Sequence, residues 1–146
     1  MIKIPINILI VDDEVDFVEM LCLRLQDQGN NVKGVYDGQA CLRALEEEDF
    51  DVVILDIKMP GMDGIETLRE IRRKAPIAEV ILLTGHGSIE TAVEGMKLGA
   101  FDYLRKPASF DELMTKLEGA RKRKAEQEER IRKAEAQALL RRTGDI

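Results

Sequence analysis

Ile8-Leu9-Ile10-Val11-Asp12-Asp13 and Asp51-Val52-Val53-Ile54-Leu55-Asp56 decide how this chain folds. Each stretch is a short apolar run rich in Val and Ile, ends in carboxylates and is followed by a helical pattern. Such runs read as strands of a parallel sheet covered on both faces. Ligands of these sheets bind outside the carboxyl ends of the strands. Both runs deliver acids to that edge. Asp12, Asp13 and Asp56 would repel one another there unless a cation or a proton intervened. An oxygen-only cluster suits a hard divalent ion such as Mg²⁺.

Outward from these two runs, five strand-like segments alternate with five helical patterns. The strands are expected at Ile6–Val11, Asn31–Tyr36, Asp51–Leu55, Glu79–Leu83 and Ala100–Leu104. The helices are expected at Glu14–Gln28, Gly38–Glu48, Gly64–Lys74, Ile89–Leu98 and Phe110–Arg142. Strict alternation implies right-handed crossovers and helices on both faces of a parallel sheet. Gly29 reads as the stop of the first helix. Asp37 reads as the cap of the second, and Pro76 closes the third. Asp63 with Glu66, and Ser109 with Glu112, have capping-box spacing.

The 146 residues suffice for one domain with a real core, and the hydrophobic share of 45% is ordinary for a globular protein. Cys22 and Cys41 sit inside helical patterns and read as reduced thiols. No Cys/His cluster has zinc spacing, and His86 is the only histidine. No signal peptide and no membrane span is visible, so a cytoplasmic protein is expected. The net charge of −6 is uneven: residues 119–146 carry +4 and residues 1–118 carry −10. The acidic part should repel nucleic acid. The run Arg121-Lys122-Arg123-Lys124 alone could attract it, and reads more simply as a solvated helix face.

The last helix is longer than a sheet of this kind needs. Past Ala120 it would overhang by roughly 30 Å. Gly119 is a weak point, costing about 1 kcal/mol relative to Ala. Beyond it, Glu126–Arg130, Glu128–Arg132 and Glu129–Lys133 have favourable i,i+4 spacing. Phe110, Leu113, Leu117, Ala120, Lys124, Gln127, Ile131, Ala134 and Ala138 form a heptad seam broken by two polar positions. Two readings stand: a dimerising or partner-binding coiled coil, or a helix solvated past its contact with the sheet. The expected division is therefore 1–120 for the domain and 121–146 for a charged helical extension or linker.

The segment Asp56-Ile57-Lys58-Met59-Pro60-Gly61-Met62-Asp63-Gly64 adds a family likeness. Together with Asp12-Asp13, Thr84 and Lys106-Pro107, it closely resembles the receiver domain of bacterial two-component response regulators. The resemblance covers about Ile6 to Ala120. The stretches Leu83-Thr84-Gly85-His86-Gly87-Ser88 and Gly99-Ala100-Phe101-Asp102-Tyr103-Leu104-Arg105-Lys106-Pro107 look most like receivers of enhancer-binding transcription activators. The resemblance implies a flavodoxin-like, doubly wound sheet in the order 2-1-3-4-5, with five helices. It also implies roles. Asp56 would accept a phosphoryl group from a sensor histidine kinase. Asp13, Asp56 and the main-chain carbonyl of Lys58 would ligate Mg²⁺, with Asp12 acting through a metal-bound water. Lys106, before a cis bond to Pro107, and Thr84 would contact the phosphoryl group. Tyr103 would be the switch aromatic, remodelling the face made by the fourth helix, fifth strand and fifth helix. Lys58 and His86 would tune how fast water hydrolyses the acyl phosphate.

On this reading the chain is a signalling switch whose enzymology is self-directed. Its output would pass to a downstream protein partner or to a covalent effector domain, with a homodimer through the last helix as one route. No Gly-x-x-x-x-Gly-Lys-Ser/Thr pattern and no helix-turn-helix occur in these residues. An aspartyl-phosphate phosphatase would place a second Asp where Lys58 stands. A flavin carrier would need a phosphate-binding loop where Asp12-Asp13-Glu14 would repel the ligand.

Overall fold

The computed structural model describes residues 4–59, 61–85 and 89–143. Strands β1 (Asn7–Val11), β2 (Asn31–Val35), β3 (Val52–Leu55), β4 (Glu79–Thr84) and β5 (Asp102–Arg105) alternate with helices α1 (Val15–Asp27), α2 (Gly38–Glu47), α3 (Gly64–Lys74), α4 (Ile89–Lys97) and α5 (Phe110–Arg142). The strands form one parallel sheet in the order β2-β1-β3-β4-β5. The jump from β2 to β3 across β1 puts β1 and β3 side by side, with Ile8 opposite Val52 and Val11 opposite Leu55.

Residues alternate between the two faces of each central strand, as the period of two requires. Ile8, Ile10, Val52, Ile54, Ile81 and Leu83 join α1 and α5 through Val18, Leu21, Leu25, Leu113 and Leu117. Leu9, Val11, Val53, Leu55, Val80 and Leu82 face the other way, onto Cys41, Leu42, Ile65, Leu68 and Ile71 of α2 and α3. Both faces are covered, so the strands are apolar throughout.

Helix starts follow the capping residues. Asp37 accepts from Ala40 N–H (2.8 Å), Asp63 from Glu66 N–H (2.8 Å) and Ser109 from Glu112 N–H (3.0 Å). Gly29 follows α1 at φ +89°. Every strand differs from the sequence reading by one or two residues at an end, and two of these shifts have a visible cause. Tyr36 lies past the end of β2 and is exposed. Ala100 and Phe101 precede β5: the N–H of Ala100 turns back to the Gly95 carbonyl, which ends α4 instead of starting a strand.

Cys22 is half-buried, Cys41 is fully buried, and both thiols are free. Burial pushes the Cys41 thiol up to about 12, so almost no thiolate exists at neutral pH. In native buffer, a disulfide reagent should label Cys22 slowly and Cys41 only on the timescale of unfolding. Two fast thiol equivalents would contradict this packing.

Gly119 has a reason to be glycine. A Cβ there would sit 3.0 Å from Cζ of Phe101, so the missing side chain lets this ring lie against α5. The seam through α5 is likewise explained in part. Leu113, Leu117 and Ala120 are buried on the sheet. Lys124, the first polar break, is only 12% exposed in its side chain and bridges Asp51 (3.1 Å) and Glu128 (3.2 Å). Arg123 pairs with the buried carboxylate of Glu79. Both bridges tie α5 to residues at the amino ends of β3 and β4. Past this point Arg132 pairs with Glu129 at 2.6 Å and also feels the charge of Glu128, as Glu129 feels that of Lys133.

Candidate functional site

The site lies at the carboxyl end of the sheet. Val11 carries Asp12 past the end of β1, where the N–H of Asp12 still reaches the Val35 carbonyl (3.2 Å). The N–H of Asp56 bonds the Val11 carbonyl (2.9 Å), which fixes the end of β3 beside the end of β1. Asp12, Asp13 and Asp56 each present one carboxylate oxygen within 4.8 Å of the others. Asp12 and Asp56 are 2% and 3% exposed, whereas Asp13 is exposed.

Each buried acid has partners among the described residues. Asp12 accepts from the Glu14 N–H (3.0 Å) and from Lys106 Nζ (2.6 Å). Asp56 accepts from the Lys58 N–H (3.3 Å) and from the Thr84 side chain. Burial and the neighbouring Asp12 charge still hold the Asp56 carboxyl above its ordinary range, against the pull of Thr84, Lys106 and the Lys58 N–H. For Lys106, burial works against the charge, but bonding to Asp12 and the charges of Asp12, Asp56 and Glu14 outweigh it and raise the pKa. The cluster therefore keeps an excess of negative charge that one lysine does not cancel. Three oxygen donors around an uncancelled charge fit a hard divalent cation.

The structure brings Asp12, Asp13, Asp56, Thr84 and Lys106 to one place. The Lys106–Pro107 bond is cis. Thr84 ends β4 and is fully buried. Lys58 is exposed at the rim, touching the site through its main-chain N–H. His86 lies outside the described residues. Tyr103 stands apart from the acids, half-buried on β5, where it lines a cleft of about 600 Å³ with Ile89, Val93 and Met96 of α4. Sequence reasoning did not find two neighbours of Lys106. Glu14 Oε1 is 3.3 Å from its Nζ, and the Phe17 ring centroid is 4.1 Å away. Their only signal is their place at the N-cap and in the first turn of α1, directly after the acidic pair.

The carboxyl end of the sheet thus sets Asp56 beside two further acids, a threonine and a lysine. Residues 8–118 match the response regulator receiver domain family, and the chain belongs to that family. It is 44% identical over 120 residues to the transcriptional regulatory protein ZraR of Salmonella typhimurium, a match covering 82% of this chain and 27% of that protein. It is 42% identical over 117 residues to a putative NtrX-like response regulator of Rickettsia bellii, covering 79% and 24%. The chain thus spans about a quarter of the length of these curated relatives. Among solved structures, NtrX from Brucella abortus, in complex with ADP, superposes with a TM-score of 0.81 at 34% identity, over 86% of this chain and 29% of that one. A CheY-like receiver domain protein from Methanospirillum hungatei gives 0.81 at 28% identity, over 85% and 99%. Receivers are signalling switches and not enzymes that turn over a metabolite. Among the described residues, no helix is long and apolar enough to cross a membrane.

Proposed function

We propose that Asp56 accepts a phosphoryl group from a phosphohistidine of a sensor kinase. The observation that carries this is the convergence of Asp12, Asp13, Thr84 and Lys106 on Asp56 at one sheet edge. A carboxylate oxygen of Asp56 attacks phosphorus while the bond from phosphorus to the imidazole nitrogen breaks. The electron pair leaves with the imidazole, and an acyl phosphate remains on Asp56. Lys106 supplies a point charge for a phosphoryl oxygen, and the Thr84 hydroxyl supplies a hydrogen-bond donor. Asp12, Asp13 and Asp56, with the Lys58 carbonyl, would hold Mg²⁺. When bound, that ion would neutralise charge on the transferring oxygens. Lys58, and His86 beyond the described residues, would govern how quickly water reaches the acyl phosphate.

The test is phosphotransfer from a phosphorylated kinase core, with acid-stable and base-labile label followed on the chain. Stoichiometric label that Asp56→Ala lacks supports the reading. Turnover of a phosphomonoester would instead favour a phosphatase, against which the position of Lys58 argues.

Output on this reading runs from Thr84 to Tyr103. Engagement of Thr84 by the phosphoryl group frees space toward which the Tyr103 ring turns, changing the surface shared by α4, β5 and α5. Tyr103→Ala is expected to accept phosphate normally while losing the phosphorylation-dependent change in output. Coupling equal to wild type, read as a phosphorylation-dependent spectral change of amides on α4 and β5, would sink the assignment. The body at 1–120 and the extension at 121–146 would be separate working parts, since Ala120 is the last residue of α5 buried on the sheet. The extension would carry the signal to a downstream partner or effector domain, with a homodimer through the seam that includes Ile131 and Ala138 as the means. Light scattering before and after beryllofluoride, with Mg²⁺, would show whether mass changes on activation.

A further inference from the structure

Lys106 has more holding it than the acid it meets. Its Nζ lies 2.6 Å from Asp12 Oδ2, 3.3 Å from Glu14 Oε1 and 4.1 Å from the centre of the Phe17 ring. The two anions pull in different directions. The Asp12 side chain is 3% exposed and borders Asp56, whereas that of Glu14 is 59% exposed. A cavity of about 500 Å³ opens beside the lysine, lined by Glu14, Phe17, Leu21, Gly85 and Leu113. A lysine stem has four rotatable carbons, so both the cavity and the Glu14 side are open to it. The face of an aromatic ring is negative and attracts an ammonium set over it.

We infer that Phe17 is a positioning residue for Lys106, its ring face holding the ammonium against Asp12 and out of the neighbouring cavity. The inference rests on the phosphoacceptor reading of Asp56. Glu14 is the N-cap of α1 and Phe17 lies in its first turn, so the start of this helix brings both to Lys106. The helix thereby offers the lysine an exposed anion and a ring together. The ring adds a contact at the position from which the ammonium also reaches Asp12. A leucine would fill much of the same space with no negative face.

Two readouts test this. In the metal-free protein, the side-chain protons of Lys106 next to Nζ should resonate upfield through the ring current of Phe17. They should return to the ordinary lysine position in Phe17→Leu. Ordinary shifts in the wild type would overturn the inference. Phosphorylation by phosphoramidate with Mg²⁺ should slow about three- to tenfold in Phe17→Leu and recover in Phe17→Tyr, which keeps the ring face. Phe110→Leu is the control, because Phe110 lines the same cavity but lies under Arg24, at 4.1 Å. Its rate should match wild type. An unaffected Phe17→Leu, a Tyr variant as slow as Leu, or an equal loss in Phe110→Leu would each overturn the inference. A wild type that takes up no phosphoryl group would instead remove the phosphoacceptor reading. The ring-current shift would still report whether Phe17 holds the lysine.

Discussion

Asp56→Asn should take up no phosphoryl group from a kinase or from phosphoramidate, while folding more stably than wild type in chelator. Both effects come from one charge. The amide has no anionic oxygen to attack phosphorus, so incorporation should fall to background. The same charge is 3% exposed and within 4.8 Å of two other carboxylates, so it opposes folding when no cation is present. At an effective permittivity of about 20, one such repulsion is worth about 3 kcal/mol, and Lys106 and Thr84 offset part of it. Metal-free denaturation should therefore show a gain of about 1–3 kcal/mol. Adding Mg²⁺ should stabilise the wild type and do much less for the variant, by mass action. A variant less stable than wild type in chelator would mean that Lys106 and Thr84 already satisfy Asp56.

Gly64→Ala should damage the site from a residue that touches no reacting atom. Gly64 opens α3 and donates its N–H to the Ile57 carbonyl at 2.7 Å. A Cβ on Gly64 would lie 2.4 Å from the Asp56 carbonyl oxygen, 2.4 Å from Ile57 Cα and 2.7 Å from the Ile57 oxygen. All three are backbone atoms, so no side chain can swing away. The backbone at Asp56 and Ile57 must shift, and the Asp56 carboxylate shifts with it. The expected cost is about 2–4 kcal/mol, a midpoint lower by roughly 10 °C. Phosphorylation of the folded variant should slow by at least about tenfold, because a misplacement near 1 Å can cost more than that. Normal stability together with a normal rate would show that the loop gives way freely.

The parallel sheet and its two covered faces were legible because β1 and β3 are unbroken apolar runs that end in acids, whereas the strand order β2-β1-β3-β4-β5 was expected only from the family resemblance. Short central strands carry their own evidence. The edges were less so. Ala100 and Phe101 are as apolar as strand residues, but their backbone is taken up by the end of α4 and by Val80, a contact that only the fold brings about. The acids were readable because each follows an apolar strand closely, whereas Thr84 and Lys106 stood out only through the family resemblance. Phe17 and Gly64 were not read as parts of the site. A phenylalanine on an amphipathic helix looks like core, and the need for a bare Cα at residue 64 depends on atoms of the preceding loop. The first polar break in the α5 seam has a cause of the same kind. Lys124 weakens the apolar stripe, yet it is spent on Asp51 and Glu128.

The bridges Arg123–Glu79 and Lys124–Asp51 join α5 to the amino ends of β4 and β3, the edge opposite Asp56. The 18 helical residues from Ala125 to Arg142 then project as a cantilever of about 27 Å. With its root clamped at two points, such an arm multiplies angle into distance. A tilt of about 6° at the clamp carries the tip about 3 Å, the width of a hydrogen bond. The domain thus has the mechanical form of a short, stiff pivot with a long pointer, whose tip can register motions too small to see at the sheet.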